Sequence, residues 1–80
     1  EKTLSEMQLF PNPASSNIII RVPDQAVGSE MIFRDIHGTI LKHFIVNASE
    51  TEISTEGLAK GMYFVEIKYK SIAPKKLIIH

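Results

Sequence analysis

The stretch Leu58-Ala59-Lys60-Gly61-Met62-Tyr63-Phe64-Val65-Glu66-Ile67-Lys68-Tyr69 decides the fold class. Tyr63, Val65, Ile67 and Tyr69 alternate with Phe64, Glu66 and Lys68, so one face is wholly apolar and the other mostly polar. A period of two in β-branched and aromatic residues is the pattern of a half-buried strand. Gly61 stands at the mouth of the run, where a residue without Cβ can take positive φ and turn the backbone sharply. The run reads as the spine of a small all-β domain, with Tyr63, Val65, Ile67 and Tyr69 inward and Leu58 plugging one end of the core.

On the C-terminal side, a break at Ser71 to Pro74 separates the spine from a last strand, Lys75-Lys76-Leu77-Ile78-Ile79-His80. On the N-terminal side lies a short strand from Thr51 to Ser54, anchored by Ile53. The polar Asn47-Ala48-Ser49-Glu50 before it reads as a surface loop. Thr39 to Val46 is a further strand whose two faces, Leu41, His43, Ile45 and Ile40, Lys42, Phe44, Val46, leave its orientation open. Glu30 to Asp35 also carries apolar residues on both faces, with Met31 and Phe33 taken as inward. Between these two, Asp35-Ile36-His37-Gly38 reads as a hairpin turn, Asp35 accepting backbone N–H bonds and Gly38 supplying positive φ.

Nearer the N-terminus, Ile18, Ile20 and Val22 share one face of a strand that Pro23-Asp24 stops, and Gly28-Ser29 closes the loop after it. Thr3 to Leu9 reads as a first strand. Phe10-Pro11-Asn12-Pro13-Ala14-Ser15-Ser16-Asn17 is a stiff bend, because each proline fixes φ, lacks a donor and pushes its predecessor out of the helical region. Phe10 is expected to tuck into the edge of the core. About seven short strands, turn signals roughly every 8–12 residues and no helix-period segment argue for an antiparallel β-sandwich or small barrel with Greek-key wiring.

Composition narrows the function. Eighty residues make one domain, which buries about 60–65% of the surface its unfolded chain exposes. Nine basic and nine acidic residues cancel, so the basic excess that neutralises nucleic-acid phosphates is missing. There is no cysteine for a disulfide, a thiolate nucleophile or a metal ligand. No run approaches the roughly 20 apolar residues of a membrane helix, so direct membrane insertion is not expected. Glu1-Lys2-Thr3 lacks the pattern of a signal peptide, and with no initial methionine the chain reads as a piece excised from something longer.

Chemistry is equally sparse. His37, His43 and His80 are too scattered to suggest a metal site by spacing. The carboxylates show no paired arrangement for acid–base work, and no serine sits in a Gly-x-Ser-x-Gly elbow. The single glycines form no phosphate-cradling loop. Lys75-Lys76 reads as a solvated strand edge, and Tyr63 and Tyr69 as core residues whose hydroxyls find partners. Neither a catalytic role nor a cofactor is expected.

Four motifs, taken together and in order, resemble the C-terminal sorting domain of the type IX (Por) secretion system. They are Phe10-Pro11-Asn12-Pro13-Ala14, Asp35-x-x-Gly38, Leu58-x-x-Gly61-x-Tyr63-x-Val65-x-Ile67, and the closing Lys75-Lys76-Leu77-Ile78-Ile79. The matching positions are Pro11, Asn12, Pro13, Asp35, Gly38, Leu58, Gly61, Tyr63 and the terminal strand. Phe10, Thr39 and Ser54 depart from the tyrosine, basic residue and aspartate common in that family. The resemblance implies an immunoglobulin-like antiparallel β-sandwich at the C-terminus of a larger secreted protein of a Gram-negative bacterium. It implies a domain without catalytic function, read by the outer-membrane translocon, upstream of which a cell-surface sortase cuts to anchor the N-terminal cargo.

Under that reading the expected contact surface is Gly61, Tyr63, Phe64, Lys75, Lys76, Leu77, Ile78 and Ile79, with Phe64 as an exposed apolar anchor. The terminal strand, as a sheet edge, is expected to expose unpaired N–H and C=O groups to which a partner strand adds. The competing reading is an immunoglobulin-like accessory module that binds carbohydrate or protein for an attached enzyme. Exposed coplanar aromatic side chains would favour it.

Overall fold

The computed structural model describes residues 6–14, 16–70 and 72–80. Of the expected features, Thr3 to Ser5 of the first strand, Ser15 and Ser71 lie outside them. Among the described residues seven strands follow in order: β1 (Gln8–Phe10), β2 (Asn17–Arg21), β3 (Glu30–Arg34), β4 (Ile40–Ile45), β5 (Glu50–Ser54), β6 (Gly61–Ile67) and β7 (Lys75–Ile79). They form a three-stranded sheet, β1-β2-β5, packed on a four-stranded sheet, β4-β3-β6-β7. Every pairing of named strands is antiparallel, and β2 with β5 and β3 with β6 are non-consecutive neighbours, the Greek-key wiring of an immunoglobulin-like sandwich.

The core is the sum of the inward faces. Ile18, Ile20 and Val22 from the β2 segment meet Met31 and Phe33 of β3, Tyr63, Val65 and Ile67 of β6, and Leu77 and Ile79 of β7. Fully burying one such side chain stabilises the fold by about 1.5–3 kcal/mol, which is large against the margin of so small a domain. Leu58, Ile53 and Phe44 pack against this core from its rim. Inward Phe44 and Val46 resolve the orientation of the β4 segment, leaving Leu41, His43 and Ile45 outside. A register shift between Phe33 and Arg34 leaves both Ile40 and Leu41 exposed.

Several expectations change. The spine is shorter than its pattern, because Leu58 to Lys60 form a corner before β6 and the chain turns after Ile67. There the Lys68 N–H bonds the Glu30 carbonyl at 2.8 Å, ending the β3 ladder, and the Tyr69 N–H bonds back to Ile67. Tyr69 is therefore a half-buried residue outside the strand that still packs against the core, as its place in the alternation predicts. Phe10 lies on the outer side of the three-stranded sheet, beside Ile19, with the Arg21 guanidinium 5.0 Å from its ring centre. That cation covers the ring, so the core is not needed to shield it. Ile32 is only 3% exposed although it faces away from Met31 and Phe33, because β3 is an interior strand and His43 and Glu66 flank it directly. A single 3-10 turn, Asp24–Ala26, follows Pro23 and buries Ala26.

Candidate recognition surface

Position in the β6–β7 hairpin sorts its side chains. Tyr63, Val65, Leu77 and Ile79 point into the core, while Met62 opposes Ile78 and Phe64 opposes Lys76 on the outer face. The approach to β6 is built as a tyrosine corner. The buried Tyr63 ring carries its hydroxyl back to donate to the Ala59 carbonyl, across the bend that Leu58 anchors. Gly61 opens the strand at φ +146°, a conformation L side chains rarely adopt, which explains a glycine at that position of the Leu58-x-x-Gly61-x-Tyr63 motif.

The outward edge of β7 is not free. The Asn12 side chain donates from Nδ2 to the Lys76 carbonyl at 2.8 Å and accepts the Ile78 N–H on Oδ1 at 3.0 Å. Ala14 continues the seal as a parallel bridge, its N–H bonding the Ile78 carbonyl and its carbonyl accepting the His80 N–H, both at 2.8 Å. Lys75 Nζ also reaches Glu6 Oε1 at 2.6 Å. The Pro11-Asn12-Pro13 bend thus carries the chain from the three-stranded sheet to the four-stranded one, where Asn12 supplies the donor and acceptor of a missing peptide group. The expected unpaired edge is corrected: strand addition at residues 76–80 meets groups already bonded.

The outer face of the four-stranded sheet is accessible. Across it, the pairing register places Ile40, Arg34, Phe64 and Lys76 in one row. Arg34 is held flat by Glu66 Oε1 at 3.2 Å and by the Gly38 carbonyl at 3.0 Å. The turn that positions it matches its sequence pattern. Asp35 Oδ1 accepts the N–H groups of His37 at 2.9 Å and Thr39 at 3.0 Å, and Gly38 sits at φ +87°. A groove of about 400 Å³ runs between this turn and β6, bordered by Ile36, Phe64 and Pro74.

Of the residues expected to be recognised, Phe64 and Lys76 are exposed and Ile78 and Lys75 are half-buried, whereas Tyr63, Leu77 and Ile79 are buried. Buried members can shape the hairpin but cannot touch a partner. Pro11, Asn12 and Pro13 are exposed at the sealed edge, Asp35 is half-buried and Gly38 exposed at the groove, and Leu58 lies at the far end with the tyrosine corner. Ile36, Ile40 and Met62 join the face although no motif pointed to them; their signal was apolar residues, Ile36 in the turn and Ile40 and Met62 on strand faces, that the core did not need. Among the described residues, no group of three or more His, Asp or Glu could hold a metal ion, and no helix is long and apolar enough to cross a membrane.

The strand order and the packing of its two sheets define a small immunoglobulin-like β-sandwich module. Over residues 8–80 the sequence matches the family described as the secretion system C-terminal sorting domain, and the chain belongs to that family. Its role is that of a secretion-sorting signal. It is also 38% identical over 71 residues to Beta-agarase A of Zobellia galactanivorans, an alignment covering 89% of this chain and 13% of that protein.

Proposed function

We propose that this chain is the C-terminal tail of a longer exported protein and serves as a non-catalytic address for the type IX translocon of a Gram-negative bacterium. The cargo precedes it, and a sortase cuts between the two at the cell surface. The observation that carries this reading is the family match over residues 8–80, which takes in all four motifs. That the chain corresponds to 13% of Beta-agarase A fits a tail on a larger protein. Recognition is assigned to the β6–β7 hairpin, with Gly61, Tyr63, Leu77 and Ile79 setting its shape and Phe64, Lys75, Lys76 and Ile78 displayed.

The accessory-binding alternative is less favoured. Of the four phenylalanines and two tyrosines, Phe64 alone is exposed, so no flat platform of rings is offered to a sugar. The test is a reporter fused ahead of residues 1–80 in a host with a type IX system. Appearance of the reporter at the surface, lost in a translocon-deficient strain, is the expected outcome. Retention in the periplasm of the intact host would reject the reading.

A further inference from the structure

We propose that the outer face of the four-stranded sheet, centred on Phe64, docks a protein surface that presents an apolar side chain flanked by carboxylates. This inference rests on the sorting reading and names the chemistry of the component that receives the tail.

The two outer faces of the sandwich differ in kind. On the three-stranded sheet, Arg21 pairs with Glu50 at 2.9 Å and covers Phe10, and among the described residues no large apolar side chain stands exposed. On or beside the four-stranded face, Ile36 is 62% exposed, Ile40 48%, Met62 41% and Phe64 38%. A concentration of apolar surface on one side of a small domain marks an interaction site. The groove beside Phe64 and Ile36 has room for a single apolar side chain.

Charge narrows the occupant. Arg34 answers Glu66, and His43 Nδ1 lies 3.4 Å from Glu30 Oε2. Lys76 and Lys68 are exposed and, among the described residues, have no ion pair, so the rim of the apolar strip carries positive charge to be met by carboxylates. A second copy fits poorly, because a two-fold interface would set this face against itself and bring like charges together. An anionic lipid surface fits poorly too, because a groove beside Phe64 and Ile36 with room for one apolar side chain is filled by a protruding residue and not by a plane of headgroups. The β7 edge is closed by Asn12 and Ala14, so on the β6–β7 side of the sheet a partner meets the side chains of the face.

The experiment uses the reporter fusion with Phe64→Ser, Met62→Ser and Lys76→Glu, and Glu52→Lys on the opposite sheet as a control. Melting temperatures are measured first, and should Phe64→Ser lower its own, Lys76→Glu carries the test. Export falling by about tenfold in the face variants, with Glu52→Lys exported like the parent, supports the proposal. Undiminished export of the face variants overturns it while leaving the sorting reading intact. Failure of the parent fusion to be exported rejects both. Self-association of the isolated domain that Phe64→Ser abolishes, or its sedimentation with anionic vesicles, would assign the face to a second copy or to lipid and overturn the proposal.

Discussion

The side-chain amide of Asn12 stands in for a peptide group beside Ile78, accepting its N–H at 3.0 Å while donating to the Lys76 carbonyl two residues earlier. A prolyl bend thereby finishes a sheet that a backbone strand does not. Edge strands invite pairing with other chains, and an exported protein meets many of them while incompletely folded. Asn12 and Ala14 together leave that edge bonded.

Replacing Asn12 by Ala should therefore cost about 1 kcal/mol and speed hydrogen exchange at the Ile78 amide. Asn12→Asp keeps the acceptor for Ile78 but loses the donor to Lys76, so protection of the Ile78 amide should survive in it. Equal exchange in both variants and the parent would show that the bridge contributes nothing.

Tyr63→Phe removes the hydroxyl that ties β6 to the Ala59 carbonyl and leaves the ring in place. A loss of about 0.5–1.5 kcal/mol in urea denaturation is expected, with an unchanged m-value.

At Gly61 the strain is conformational, since an added Cβ would meet nothing within 4 Å. Gly61→Ala should cost about 1–3 kcal/mol through the unfavourable φ. Because +146° lies far from the left-handed helical region, Gly61→Asn should give no relief, which a comparison of the two denaturation curves checks.

Leu77 is fully buried and its neighbour Lys76 is exposed, so the terminal strand divides sharply by position. Leu77→Ala should cost about 2–5 kcal/mol, and Lys76→Ala less than about 0.5 kcal/mol. Deleting residues 75–80 would remove Leu77 and Ile79 from the core, so single surface substitutions separate recognition from folding where truncation does not.

The Lys75 ammonium, by its hydrogen bond and its charge, holds the Glu6 carboxyl below its ordinary value of 4.5. A carboxyl whose folded pKa is depressed adds stability above its unfolded pKa and loses it as pH falls through the folded value. Glu6→Gln should lower the melting temperature slightly near neutral pH, and the difference from the parent should vanish at about pH 2–3. Solvent at the pair and salt screening keep the effect small. A difference independent of pH would rule out the ion pair as its source.

The hairpin turn shows how much local pattern can carry. Asp35 and Gly38 act through groups two to four residues away, so their spacing alone predicted bonds that the structure contains. The β4 segment shows the opposite. Both of its faces are apolar, and which one turned inward depended on β3 being its neighbour and on a register shift at Arg34. Phe64 was legible as outward from its place in the alternation, but Ile36 and Ile40 joined its face only when the strands were laid side by side.

By itself, then, the sequence determined the class of fold, the approximate places of the strands and the inward set of β6, because a period of two and a turn residue act over a few bonds. It also determined the family, through motifs whose order and spacing survive without coordinates. Tertiary structure alone decided that Asn12 meets Ile78 across 66 residues, that the terminal edge is closed, and that one outer face stays apolar. Those outcomes depend on which strands become neighbours, and neighbourhood is set by packing the whole core at once.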